Sequence, residues 1–440
     1  MAISNLSFYL RRANMKKVLI MLMVLLLVFT MLAINVFSAA PKITLRMGDP
    51  HPDRQHTWGA VIEQINAAFE KAHPNVKIVT ESYQDQPWQQ KVKIYAASNQ
   101  LPDVFKYWSF PAQTGALANA GLLLPLPEKQ FAKLGWLPGT LEPSRYNGKL
   151  YGLPVTVDFW VIYYNKAIFD KCGVKVPATI DQLIAAAKVF RDNNVIPMVT
   201  DGKDAWPLNL LWDNLVIRAT GDPTLIPKAM ARKVKFTDPR FMAGTKLYKQ
   251  LVDNKLFADD LLTSDYGASR NLFGQEKAAM YLMGSWEAGL STDTSFSESF
   301  RKNLGVMKVP AGPKGTIDDL QAWGGGNYVI SAHTKYKALC LEYLKTYFTM
   351  FPTLVWQNKV CIPSQKVEVS PEDNQISKDL MAILNSAKTT SGTVHIDLST
   401  SEFNTTGNKL IQELTAGIKT PEQFLSELDA AAETASKSNK

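Results

Sequence analysis

Residues 43–79 read ITLRMGDPHPDRQHTWGAVIEQINAAFEKAHPNVKIV, and three periodicities follow one another within them. Ile43 to Met47 alternates apolar and polar side chains, as a half-buried strand does. Trp58, Val61, Ile62, Ile65, Phe69 and Ala72 then recur at helical spacing, and Val76 to Val79 alternates again. Strand, helix and strand in so short a span make a βαβ unit, so the sequence predicts an α/β protein on a parallel sheet.

The alternation continues downstream. Asp103-Val-Phe105 ends a short strand, and Thr179-x-x-Gln182 is a capping box opening a helix with Leu183, Ile184, Ala187 and Phe190 on one face. Tyr336, Leu339, Cys340, Tyr343, Leu344, Tyr347 and Phe348 follow the helical template, and Thr420-Pro-Glu-Gln423 caps a last helix. Past Glu433 the sequence suggests a frayed tail. Two stretches look like crossings between lobes: the extended run Leu153–Trp160, and Val306–Pro310 with the turn Ala311–Gly315. Paired crossings allow two lobes to hinge.

Upstream, Val18 to Ile34 is apolar except for Thr30, with Arg11, Arg12, Lys16 and Lys17 before it and Ser38-Ala39-Ala40 after it. This is the pattern of a secretory signal peptide over residues 1–38, cut after Ser38 because Pro41 disfavours a cut after Ala40. The run is at the lower edge of spanning length, so an uncleaved anchor is the alternative. Met15-Lys16-Lys17 offers a second start, and Arg11-Arg12 fits twin-arginine export only in part. No Cys lies near the cut, so a free periplasmic protein is expected rather than a lipid-anchored one. Removing the signal's four basic residues lowers the net charge from +8 to +4, too little for a nucleic-acid footprint.

The chain shows little reaction machinery. It has no HExxH, GxSxG, P-loop or GxGxxG motif, so no catalytic residue and no cofactor is assigned. The five His fall in polar contexts, and Asp49-x-His51-x-Asp53 is better read as a solvated loop than as a metal site. The adjacent pairs Asp259-Asp260 and Asp318-Asp319 read as exposed turns. Cys172, Cys340 and Cys361 are too few for a double Cys-x-x-Cys metal site; a Cys340–Cys361 bridge and buried free thiols both stay open.

Ten Trp remain to be explained. Trp108, Trp160, Trp206, Trp286 and Trp323 fall in expected loops at the carboxyl ends of strands, where open α/β sheets bind ligands. An aromatic face covers the apolar face of a pyranose, while carboxylates, amides and Arg bond its hydroxyls. Trp136, Trp212 and Trp356 read as core, and Trp58 and Trp88 as either. Gly324-Gly-Gly326-Asn327 reads as a loop admitting close backbone approach.

In order and spacing, a set of short stretches resembles the extracellular solute-binding proteins of carbohydrate ABC transporters, the maltose-binding-like group. They include Phe69–Asn75, Leu101–Phe105, Gly121–Leu126, Asn147–Pro154, Tyr163–Lys166, Gly274–Met280 with Gly284-Ser-Trp286, and Gly324–Asn327. The resemblance implies a two-lobe periplasmic-binding-protein fold of type II, with the ligand cleft between lobes joined by hinge crossings. It implies an N-terminal lobe of residues 41–156 and 310–352 and a C-terminal lobe of residues 157–309 and 353–440. The implied partners are a carbohydrate ligand and the permease of an ABC importer, with the binding protein a monomer. Carried over by position, Asp49, His51, Tyr107, Trp108, Asp158, Trp286, Trp323 and Gly325 face the ligand, beside Trp160 and Trp206. The family's late stacking aromatic falls at Phe403, where the match is poor. A non-sugar solute in the same fold, or a secreted carbohydrate-active enzyme, is the alternative.

Overall fold

The 43–79 stretch folds as its periodicity requires, into β1 (Ile43–Asp49), α1 (Thr57–Ala72) and β2 (Val76–Ser82). The computed structural model describes residues 43–438 and Met23; the expected export signal therefore lies outside the described residues, apart from Met23. After β2 come α2 (Asp85–Ala97), β3 (Val104–Tyr107), β4 (Gly152–Pro154), β5 (Val157–Asn165), α3 (Ile180–Asp192), β6 (Ile196–Val199) and α4 (Trp206–Thr220). Then follow α5 (Pro239–Asp253), α6 (Tyr266–Gly274), β7 (Ala278–Gly284), β8 (Leu304–Met307), β9 (Ala322–Gly324) and β10 (Asn327–Ile330). Four helices complete the chain: α7 (Lys337–Gln357), α8 (Gln375–Asn385), α9 (Ser401–Thr415) and α10 (Pro421–Ser438). Among the described residues no helix is long and apolar enough to cross a membrane.

Among the described residues, 45–69 and 78–438 cluster as one unit, which holds both sheets apart from the first two residues of β1 and of β2; residues 70–77 cluster with Ile43 and Thr44. Within that smaller group Ile43 N–H donates to the Asn75 carbonyl at 2.8 Å. The first sheet has the order β2-β1-β3-β10-β4 and the second β8-β5-β7-β6, with β9 also paired to β5. Neither is purely parallel, which corrects the expectation from the βαβ unit. β1 and β3 run parallel, with Met47 opposite Val104, but β10 returns antiparallel to β3, with Val329 opposite Phe105. The reason is connectivity: β10 arrives from the other lobe and not through a covering helix. In the second sheet β5 opposes β7 antiparallel, Tyr163 facing Tyr281, while β6 and β7 are parallel.

Three strands of chain cross between the two α/β lobes. Val155–Val157 lies in the middle: Val155 N–H donates to Gly326 O (2.9 Å) on one side, and Val157 N–H to Ile362 O (3.1 Å) on the other. The first expected crossing is thus present, but the second is at Gly325–Gly326 rather than Val306–Gly315. β8 and β9 each pair with β5 before the chain leaves the second sheet, so the return comes later. The third follows α7 at Ile362–Ser364, where Ser364 N–H donates to Val155 O at 3.1 Å.

Capping follows the sequence closely. Thr179 Oγ1 accepts from Gln182 N–H (3.3 Å) and Gln182 returns a carbonyl oxygen to Ala178 N–H (2.8 Å), opening α3. Thr420 and Gln423 make the reciprocal pair at α10, which stays helical to Ser438 instead of fraying after Glu433. Trp212 is fully buried, stacked on Phe241 at 5.9 Å with its indole N–H donated to Thr245. Trp88 is fully buried and Trp356 nearly so, while Trp136 is half-buried against Phe348. His395, expected in a polar setting, is fully buried with Nδ1 2.7 Å from Asp213 Oδ1. All three cysteines are free thiols.

Candidate ligand-binding site

The strands of both sheets end at a cavity of about 310 Å³ between the lobes. From the first lobe come the turn after β1 and the start of α1 (His51, Trp58), the loop and first turn of α2 after β2 (Gln84, Asp85, Gln89), and Lys106 with Trp108 at the end of β3. Thr156 and Gly326 come from the crossings, and Asp158 and Trp323 from the paired strands β5 and β9 beside them. From the second lobe come Trp206, Tyr266, Arg270, Trp286, Glu287 and Asp397 with Asn404 and Asn408 of α9.

Trp286 anchors the second-lobe wall. Its ring lies 5.9 Å from Trp206, 6.0 Å from Trp323 and 6.1 Å from Trp160, all tilted, the geometry aromatic quadrupoles favour over face-to-face stacking. Its Nε1–H donates to Tyr266 Oη at 3.1 Å, and the Tyr266 hydroxyl donates in turn to Glu287. Arg270 closes the chain, donating to Glu287 and Asp293 at 2.8 Å each. Burial pushes Asp293 up, but hydrogen bonds from Ser295 and the charge of Arg270 outweigh it and hold this carboxyl below its ordinary range. The indole plane of Trp286 is thus fixed by hydrogen bonding as well as by packing.

On the opposite wall the His51 ring stacks on Trp58, centroids 4.6 Å apart and planes within 2°. Lys106 Nζ sits 3.1 Å from His51 Nε2 and 4.3 Å from the Trp58 ring centre. Burial, then the charges of Lys106 and Arg54, hold His51 well below its ordinary pKa. It is therefore a neutral imidazole whose Nε2 accepts from the ammonium. Trp58 Nε1–H reaches across to the carbonyl of Trp286 at 3.2 Å, joining the two walls.

Three carboxyls face the cavity without a cation paired to them by a salt bridge among the described residues. Burial pushes Asp85 up to about 7, helped by the charges of Asp204 and Asp397 and opposed by a bond from Gln89. Burial also lifts Asp158 to about 6, against a bond from Thr156 and the charge of Lys106. Asp397 is raised to about 6 by burial, although Gln113 and Asn404 donate to it at 3.1 and 2.8 Å. Asp158 is only 9% exposed and its Oδ1 has no hydrogen-bond partner.

Six of the ten sequence-nominated residues line the cavity: His51, Trp108, Asp158, Trp206, Trp286 and Trp323. The other four stand behind it. Asp49 is fully buried and spent on Arg54 and Ser82, fixing the turn that carries His51. Tyr107 is packed edge-on to Trp108. Trp160 lies within β5, opposite Gly284, and not in a loop; it backs Trp206 and Trp286 from the core. At Gly325 a Cβ would fall 2.1 Å from Thr156 Oγ1 and 2.4 Å from Asp158 Oδ2, so the glycine serves close packing, and Gly326 is the one at the cavity. Trp58 joins the cavity wall, whereas Phe403 is buried against His395. Among the described residues no group of three His, Cys, Asp or Glu side chains could hold a metal ion.

Sequence reasoning missed Asp85, Lys106, Tyr266, Arg270 and Asp397. Two signals were available. Gln84-Asp-Gln-Pro-Trp-Gln89 follows the carboxyl end of β2, the same rule that nominated the loop after β3. Tyr266 and Arg270 stand four apart on one face of α6. Asp397 carries no local signal.

The profile of the family described as bacterial extracellular solute-binding protein matches residues 52–350. An uncharacterized ABC transporter extracellular-binding protein of Pyrococcus horikoshii is 27% identical over 264 residues, 56% of this chain and 57% of that protein. The multiple sugar-binding protein of Streptococcus mutans is 26% identical over 258 residues, 57% of this chain and 59% of that one. The alignments therefore span less than two thirds of the length of these relatives. A structure solved in work on xylan utilization by the thermophilic bacterium Caldanaerobius polysaccharolyticus superposes with a TM-score of 0.81 at 26% identity, covering 88% of this chain and 99% of that chain.

Proposed function

Because the chain belongs to the bacterial extracellular solute-binding proteins, we propose that it is the extracytoplasmic binding component of an ABC importer, holding a sugar or oligosaccharide between its lobes and delivering it to the membrane permease. The observation that carries this is the cavity's composition. Indole faces from both lobes stand beside carboxyls, amides and a hydroxyl, the pairing that an apolar ring face edged with hydroxyls requires. The multiple sugar binding in the name of the Streptococcus mutans relative and the xylan context of the structural neighbour support the same class. The ligand-facing set is His51, Trp108, Asp158, Trp206, Trp286 and Trp323, with Asp49, Tyr107, Trp160 and Gly325 holding them in place.

Binding is coupled to closure. Trp58 to the Trp286 carbonyl, Gln113 to Asp397, and the Ser401 hydroxyl to the Ala112 carbonyl (3.1 Å) already tie the lobes. A ligand touching both walls adds differential affinity for the closed state, and only that difference shifts the equilibrium. We assign the lobes to the two sheets, with the return to the first at Gly325 in place of residue 310. The protein acts as a periplasmic monomer exported by a signal cut after Ser38, and it binds without turnover or nucleic acid. An anionic solute is disfavoured, because Arg270 is spent on Glu287 and Asp293, and the charge of Lys106 is set against Asp158 and Asp85 in a cavity with more carboxyls than cations. Isothermal titration with xylo-, gluco- and chito-oligosaccharides tests the reading: it expects micromolar binding, about −8 kcal/mol, and no release of reducing ends. Turnover above background, or no binding by any sugar, would sink it.

A further inference from the structure

The cavity's charge is lopsided. It is lined by Asp53, Asp85, Asp158, Glu287, Asp293 and Asp397, against Lys106 and Arg270 as the cations, His51 being neutral. Arg270 is consumed by Glu287 and Asp293 at 2.8 Å each; Lys106 donates to neutral His51 and lies over the Trp58 ring, and its single charge, felt by Asp158 and Asp85, does not balance three carboxyls. Asp85, Asp158 and Asp397 are left with amide, hydroxyl or no donors, and they come from the first lobe, the start of β5 beside the crossing, and the second lobe respectively. Asp85 feels the charge of Asp397 across the cleft, so closing the lobes brings like charges together. Neutral hydroxyls satisfy lone pairs but do not cancel that repulsion; a positive charge does both. The indole walls suit the same guest, since a cation is drawn to an aromatic face.

Resting on the reading that a saccharide fills this cavity, we propose that the preferred ligand is an amino sugar with a free, protonated amine, received by the unpartnered Oδ1 of Asp158 in the cavity that Asp85 and Asp397 also line. The ammonium then acts as the counter-ion that lets the lobes close. A neutral or N-acetylated sugar of the same ring and linkage lacks that charge, and a uronic acid adds repulsion.

The test is titration calorimetry of the whole protein at pH 7.5 with matched probes: glucosamine and galactosamine with their di- and trisaccharides, their N-acetylated forms, and the parent neutral sugars. The free amine is expected to bind at least about tenfold tighter than its neutral and acetylated counterparts, which is one step of 1.4 kcal/mol. Its advantage should shrink when NaCl is raised from about 0.05 to 0.5 M, as screening requires. Asp158→Asn should reduce the amine's advantage over the matched neutral sugar to about threefold or less, whatever it does to the affinity for both; Asp397→Asn provides the same comparison if the first variant melts early. A neutral or acetylated sugar bound as tightly as its amine overturns the proposal and leaves the saccharide reading standing. Binding of no saccharide at all overturns both.

Discussion

Trp286→Ala removes the residue that the second-lobe wall is built around, and its cost splits into two parts with different readouts. The stability part comes from three tilted ring contacts, with Trp160, Trp206 and Trp323, each worth about 0.5–1.5 kcal/mol beyond area burial. The lost N–H bond to Tyr266 adds about 1 kcal/mol, for a total of roughly 2.5–5.5 kcal/mol with a middle value of about 4. That is inside the usual stability of about 5–15 kcal/mol, so the variant should fold with a lowered Tm. The tie from Trp58 survives, because it ends on the backbone carbonyl of Trp286. The binding part is loss of the indole face, expected to weaken sugar binding at least about tenfold, or 1.4 kcal/mol. Circular-dichroism melts read the first part and titration calorimetry the second. A lowered Tm with an unchanged Kd would show that Trp286 only packs the wall, and would remove it from the site.

Further expectations concern charge and packing. Asp158→Asn should raise the Tm at pH 8 more than at pH 5. The native carboxyl is lifted from 3.8 to about 6, so the folded state holds more protons than the unfolded one between those values, and its stability falls as pH rises through that window. Two units correspond to at most about 3 kcal/mol; equal Tm gains at both pH values would contradict the assignment. Arg270→Met strands Glu287 and Asp293, which are nearly buried, and should cost about 3–5 kcal/mol in urea unfolding. A loss below about 1 kcal/mol would mean that water already screens this pair. Gly325→Ala places a methyl group against Thr156 and Asp158 and should cost about 1–3 kcal/mol, with a weaker Kd because Asp158 must move. A wild-type melt and titration would refute the packing role given to this glycine.

Much of the frame is legible from local pattern. The βαβ unit at 43–79, the capping boxes at Thr179 and Thr420 and the core placement of Trp212 each depend on residues a few positions apart. Sheet direction and crossing position do not. β10 is antiparallel because of where the chain comes from, and the return falls at Gly325–Gly326 because β9 first pairs with β5. The site divides the same way. Trp108, Trp206, Trp286 and Trp323 stand out as large aromatics near strand ends, while Trp160 has the same sequence context but points into the core from within β5. Asp397 reaches the cavity through a turn held by His395 and Asp213, a buried pair 182 positions apart, and no window of sequence records that.

The binding of a saccharide between the lobes is open to a single measurement: a thermal-shift screen of the purified protein over mono- and oligosaccharides, with putrescine, glycerol phosphate and divalent metals as the competing classes. A ligand that binds only the folded state, at about 1,000 times its Kd, adds about 4 kcal/mol. At least one sugar should therefore raise the Tm by several degrees while the competitors leave it in place. A flat response to every sugar beside a clear shift with one of the competitors would contradict it.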